Sequence, residues 1–308
     1  MKQYCIKFLA FVLALCVVPA MFFVYVQSKP NIYADSLLGT VRYKVELIRD
    51  TPSPRIILVG GSSSPYGTVT ADFEKAFGMP CINVGVTAYF GVDYYISMLN
   101  KYTRAGDIVI FAPEHISLRA QNVDYNTLWF AIGNHSPSLA LVPLRYYPGM
   151  AFSYLSYAKE KLEILSWGEG KNERHKDFGP NGDVITQRTT LLESGYNRDD
   201  IVTLNGDTPC NKTMRVLNRY YRKAQKNGVR TFFAFAPLDV LAVTSTEEEI
   251  AAYEAAIVDK LDMPVLGTVK QHLFGGEYFY DSNNHLTSEG AKANTALLIE
   301  ALSNALQT

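Results

Sequence analysis

The sequence predicts an α/β domain: a three-layer sandwich with a central parallel sheet between two layers of helices, preceded by one N-terminal transmembrane helix. Three observations predict it. Strand and helix signals alternate along residues 55–308, the strand "DIVIFAP" is nearly all apolar as a strand covered on both faces is, and the first 28 residues differ in composition from the rest. The chain divides on this reading into an anchor (1–28), a juxtamembrane helix and linker (29–54), and the α/β domain (55–308) with an insert at about 119–209.

The N-terminal stretch "FLAFVLALCVVPAMFFVYVQS" follows Lys2 and Lys7 and carries no charge over residues 8–28, enough to cross a bilayer as a helix. No A-x-A cleavage site follows it, so an uncleaved anchor fits better than a cleaved signal peptide or a buried soluble helix, the two alternatives. Pro19 is tolerable in a membrane helix. Lys2 and Lys7 favour a cytoplasmic N-terminus, Lys29, Arg42 and Lys44 weaken that bias, and a large domain translocates largely regardless of it, so the domain is expected outside the cytoplasm. A net charge of −1 without a basic run argues against a nucleic-acid partner. Of four cysteines, Cys5 and Cys16 lie in or beside the anchor. Cys81 and Cys210 either pair in an oxidising compartment or stay free, and spacing does not choose.

In the domain, "RIILVG" ends in glycine after a β-branched run and reads as the first strand. "TADFEKAFG" is a helix closed by Gly78, "CINVGV" a strand, "GVDYYISMLNKY" a helix and "DIVIFAP" a strand. After the insert come the helix "NKTMRVLNRYYRKAQKNG", the strand "VRTFFAFAP", the helix "STEEEIAAYEAAIVDKL" with acids in its first turn, the short strand "MPVLG" and the closing helix "TSEGAKANTALLIEALSNAL". Before them, "DSLLGTVRYKVELIRD" has helical spacing and joins anchor to domain. The insert is rich in Tyr and Trp, which either line a sugar-binding cleft or pack the insert onto the domain. A segment of that length reads as a lid or cap.

Ligands of parallel α/β sheets bind beyond the carboxyl ends of the strands, which puts "GGSSS" after the first strand on the functional edge. G-x-G-x-x-G, the P-loop pattern and G-x-S-x-G are all absent there. A serine hydroxyl needs a base. In "YFYDSNNHLTSEGA", His285 follows Asp281 by four residues and precedes a helix whose N-cap is Thr287 or Ser288. A carboxylate there would hold the imidazole tautomer while the other ring nitrogen faces the serine. The five histidines lack metal-ligand spacing, and no cofactor motif stands out.

Taken in order, the serine block, "NVGVT" after the second strand and D-x-x-x-H-L-T-x-x-G before the last helix resemble the SGNH (GDSL-type) hydrolase superfamily. The likeness is to its membrane-anchored, extracytoplasmic branch acting on acyl groups of cell-envelope polymers, and covers residues 55–115 and 230–305. It implies a flavodoxin-like sandwich and an esterase or O-acyltransferase. The substrate would be an acylated, typically acetylated, envelope polysaccharide or another envelope ester, and a membrane-bound O-acyltransferase would be a possible partner. Gly61, Ser62, Ser63 and Gly67 match G-D-S-x-x-x-G, so the resemblance makes Ser63 the nucleophile and its amide an oxyanion donor, with Ser62 and Ser64 as second choices. His285 would be the base and Asp281 its orienting acid, although three residues separate them where the family has two and Ser282 takes the strict acid position. Gly85 or Ala88 would give the second oxyanion amide. The family's G-x-N-D is replaced by "FAPEHIS", which puts Glu114 or His115 where an asparagine donates. Only the histidine, or a protonated glutamate, can donate. That departure motivates a second reading, a catalytically degenerate module that binds envelope polymer or a membrane acyltransferase. A nucleotide-binding domain facing the cytoplasm is a third.

Overall fold

The computed structural model describes residues 2–34, 36–119, 123–133, 135–167, 177–192 and 201–307. The chain begins with α1 (Lys2–Ser28) and α2 (Thr40–Asp50), then β1 (Ile56–Gly60), α3 (Ser63–Gly67), α4 (Thr70–Phe77), β2 (Cys81–Asn83), α5 (Gly91–Tyr102) and β3 (Ile108–Ala112). α6 (His115–Leu118) leads into the inserted region, which carries α7 (Tyr125–Ile132), α8 (Ser136–Leu139) and α9 (Tyr147–Trp167). It is followed by α10 (Asn211–Lys226), β4 (Arg230–Ala234), β5 (Leu238–Asp239), α11 (Glu247–Lys260), β6 (Val265–Leu266), β7 (Leu273–Phe274) and α12 (Ser288–Gln307).

Five strands form one parallel sheet in the order β2-β1-β3-β4-β6. Alternate residues of each strand leave opposite faces of a sheet. Ile57, Val59, Val109, Phe111 and Phe233 join one core with α2, α5, α10 and α11, whereas Ile56, Leu58, Ile108, Ile110 and Phe232 join a second core with Phe73 of α4 and Leu298 and Leu302 of α12. Helices therefore cover both faces, which is why the central strands β1 and β3 are apolar end to end.

Local chemistry places the helix ends. Gly78 closes α4 at φ +64°, a left-handed conformation that costs a glycine nothing. Thr246 and Glu249 form a reciprocal capping box on α11. Of the two candidate caps for α12, Thr287 does the work through Oγ1, which accepts from the Gly290 amide at 3.1 Å. At the amino edge of the sheet, Arg55 and Asp107 form a fully buried ion pair, Nε to Oδ2 3.4 Å, with the guanidinium also donating to the carbonyls of Ile48, Thr51 and Tyr102.

Residues 8–28 stay helical, and among the described residues α1 is the one helix apolar and long enough to cross a membrane, over Ile6–Ser28. Cys81 is buried in β2 and Cys210 lies at the start of α10; both are free thiols, so the pairing left open by the sequence is not made. The described insert aromatics mostly pack: Trp129, Tyr146 and Tyr157 are buried, and the Trp129 indole donates to the Met150 carbonyl at 2.9 Å. Trp167 ends α9.

Candidate functional site

β1 is followed by a neighbour on one side, β2, and later by one on the other, β3. The strand order thus reverses between β1 and β3, and the crevice beyond their carboxyl ends is where such sheets take ligands. The β1 exit, Gly61-Ser62-Ser63, and the β3 exit, Pro113-Glu114-His115, face each other there. Glu114 Oε1 accepts from the Ser63 amide at 2.7 Å and from Ser62 Oγ at 3.2 Å. A Cβ on Gly61 would lie 1.8 Å from Glu114 Oε2, so a glycine is required for the carboxylate to sit over the turn. Glu114 is itself buried, and its Oε2 has no hydrogen-bond partner among the described residues.

Ser63 is 1% exposed. Its Oγ has no hydrogen-bond partner among the described residues, and the side chain lines a cavity of about 10 Å³ with Phe235, Pro237 and Asn294, space for at most one water. Ser62 is half-exposed and Ser64 buried, with Ser64 Oγ 3.2 Å from Asn83 Oδ1. That Asn83 oxygen also accepts from the Gly85 amide at 2.9 Å, and Asn83 Nδ2 donates to Thr68 at 2.9 Å. One buried amide at the end of β2 thereby ties the serine turn to the next strand exit. A Cβ on Gly85 would come within 2.7 Å of both Gly61 O and Ser64 Cβ, so the glycine permits a close approach of the two loops. The Gly85 amide is engaged by Asn83, and its carbonyl accepts from the buried Lys44 amine, which also donates to Gly182 O at 3.0 Å. Ala88 opens a short 3₁₀ turn and is half-exposed.

His285 reaches the same edge from the loop before α12. Its Nδ1 lies 2.7 Å from Asp281 Oδ1. A carboxylate only accepts, so the bond assigns the proton to Nδ1 and leaves Nε2 as the basic nitrogen. The imidazole stacks on Tyr66 of α3, ring centroids 4.2 Å apart at 12°. Tyr66 is three residues from Ser63, so the two distant segments meet at one end of the sheet. Among the described residues no hydrogen bond joins Ser63 to His285. Ser282, where the sequence resemblance would put the acid, instead caps the loop: its Oγ accepts from the His285 amide at 3.3 Å. His115 is the first residue of α6, its Nδ1 is buried without a partner among the described residues, and burial pushes its pKa down to about 4.

The described return limb of the insert, 177–192, straps this site. Val184 donates its amide to Pro65 O at 3.0 Å. Asp183 accepts from the Thr70 amide and hydroxyl, both at 2.6 Å. The Arg188 guanidinium binds the carbonyls of Leu286 (3.1 Å), Val184 (2.8 Å) and Tyr66 (3.2 Å), linking the histidine loop to the serine turn. Asn83, Tyr66, Lys44, Asp183 and Arg188 escape the sequence reading. For Asn83 and Tyr66 a signal exists, since one ends the second strand and the other is a ring one helical turn after Ser63; for the rest only folding brings them near.

Among the described residues no group of three or more His, Cys, Asp or Glu is placed to hold a metal ion. No protein-family model and no curated protein matches the chain.

Proposed function

We propose that the protein is a membrane-anchored serine esterase or O-acyltransferase of the SGNH type, acting on acyl esters of an envelope polysaccharide outside the cytoplasm. One observation carries the reading: an imidazole oriented by a carboxylate, His285 on Asp281 at 2.7 Å, lies against the turn that bears Ser63, at the switch point of a parallel sheet. In this reaction Ser63 Oγ bonds to the acyl carbonyl carbon and its proton passes to His285 Nε2. Asp281 stabilises the resulting imidazolium. The tetrahedral intermediate collapses, the proton goes to the departing alkoxide, and the alcohol leaves. Water or a second hydroxyl then attacks the acyl-enzyme, giving up its proton to the same imidazole. Attack requires the Ser63 side chain to leave its small cavity, a rotamer change of the kind side chains make rapidly.

The position of Glu114 favours a second reading. Its carboxylate holds the amide that would stabilise an oxyanion, and a carboxylate repels the charge that develops there. A module of this fold with the site closed would bind envelope polymer or a membrane acyltransferase without chemistry.

Fluorophosphonate labelling of the full-length protein in detergent, with the adduct mapped by mass spectrometry, separates the two. The enzyme reading expects an adduct on Ser63, hydrolysis of p-nitrophenyl acetate, and loss of both in Ser63→Ala and His285→Ala. A folded protein with neither adduct nor turnover overturns it and leaves the binding module. An adduct on Ser62 reassigns the nucleophile within the same turn.

A further inference from the structure

We infer that the first half of α9 is immersed in the membrane beside α1, with lipid acyl chains covering its open apolar face. The inference rests on α1 crossing the bilayer and is independent of whether Ser63 is reactive. Two contacts set the register between the helices: Tyr154 Oη donates to Phe23 O at 3.3 Å, and Lys161 Nζ donates to Lys29 O at 3.1 Å. The contacts are seven residues apart on α9 and six apart along α1 and the residue that follows it, rises of about 10 Å and about 9 Å at 1.5 Å per residue. The helices therefore run side by side in the same direction over this stretch. The rings of Phe22 and Phe23 pack on Tyr154 with centroids 6.4 and 5.1 Å apart, and Pro19 and Phe23 share one groove with Tyr147, Met150 and Leu155.

That register fixes depth. If Lys29 marks the water boundary, Phe23 is about 9 Å and Pro19 about 15 Å inside the apolar stretch. The first turns of α9 then lie at the same level, within a hydrocarbon core about 30 Å thick. The sequence of α9 changes character at the matching height. Residues 146–158, "YYPGMAFSYLSYA", carry no charge, and Lys159, Glu160, Lys161 and Glu163 begin where α1 reaches Lys29. Protein leaves one side of this half bare: Phe152 is 88% exposed and Leu155 69%, and Leu144, just before α9, is 86% exposed. In water such a face is unfavourable by about 25 cal/mol per Å² of apolar surface, a cost that acyl chains remove. Arg145, the nearest charge on the amino side, is paired with Asp93. With two helices in one leaflet the domain cannot swivel freely on its anchor, and the Ser63–His285 edge is held at a set orientation to the membrane.

The test uses the full-length protein alone in phosphatidylethanolamine–phosphatidylglycerol vesicles doped with a phosphatidylcholine that carries a diazirine in its acyl chain. After illumination, adducts are mapped by mass spectrometry. The expected result is adducts on α1 and on Phe152 and Leu155, with none on the exposed basic face of α10. Phe152→Glu combined with Leu155→Glu, two positions that contribute little to the core, is expected to abolish the α9 adducts and keep those on α1. Adducts on α1 alone overturn the proposal. Protein–protein cross-links through 147–155 overturn it in favour of a second copy on that face. No adducts on α1 overturn the membrane reading itself, and the inference with it.

Discussion

The Ser63 amide donates to Glu114 Oε1 at 2.7 Å across the mouth of the crevice between β1 and β3. The same carboxylate accepts from Ser62. A group that can only accept thus occupies the place where an acyl-transfer site needs donors. Glu114→Gln keeps an oxygen for the Ser63 amide and puts an amide donor at the position of Oε2. On the enzyme reading, the rate of fluorophosphonate labelling rises by on the order of tenfold or more, a fraction of what one oxyanion donor supplies. Unchanged labelling would show that Glu114 does not restrain the site.

Asp281 holds the His285 ring by Nδ1. Asp281→Asn keeps the shape and loses the charge that stabilises an imidazolium. Turnover of p-nitrophenyl acetate should fall by on the order of a thousandfold. Stability should change by less than about 1 kcal/mol, because the pair lies partly in solvent. A stability loss matching the activity loss would make the pair structural.

Lys44 and Asp183 make stability depend on pH in two opposite ways. Burial pushes the Lys44 amine down to about 7 from 10.5. Below pH 7 the folded protein bears the full cost of a buried ammonium. Between pH 7 and about 10 the unfolded chain keeps a proton that the folded one has shed, so stability rises with pH. Burial raises the Asp183 carboxyl to about 6 from 3.8. Between those values the folded state holds a proton that the unfolded state has lost, and stability falls as pH rises. Urea titrations should show stability rising from pH 7 to 9 by on the order of a few kcal/mol, whereas between pH 4 and 6 the falling contribution of Asp183 is opposed by His115, whose pKa burial pushes down to about 4. Lys44→Met should remove the alkaline rise. A wild-type protein with flat stability from pH 7 to 9 would contradict the assignment.

Arg55 and Asp107 are buried completely at the edge opposite the site. Asp107→Ala leaves a guanidinium without its counter-charge and should cost about 3–5 kcal/mol. Chemical denaturation measures it. The pair is remote from Ser63, so labelling of the variant under folding conditions should match the wild type.

The secondary structure was legible where one local rule decides. The helix Gly91–Tyr102 and the start of α10 at Asn211 fall where the apolar spacing and loop residues put them. Gly78 and Thr246 mark helix ends through chemistry contained in a few residues. "CINVGV" is the instructive difference, because β2 stops at Asn83. From there the Asn83 side chain takes the Gly85 amide and the chain bends away to meet the serine turn. Residues 84–86 are apolar because they are buried, a property that strands and buried loops share.

Local pattern determined the layered α/β architecture, the apolar first helix and the Asp281–His285 pair, since each depends on residues a few positions apart or on strands whose burial writes itself into composition. Tertiary structure alone decided that Glu114 closes on the Ser63 amide, that Tyr66 carries the His285 ring, that the insert straps the site through Arg188, and that α9 lies along α1. These are contacts between segments separated by tens to hundreds of residues. A hydrogen bond or a ring stack at that separation leaves no periodicity in the chain, because its geometry exists only once the sheet and its helices have packed.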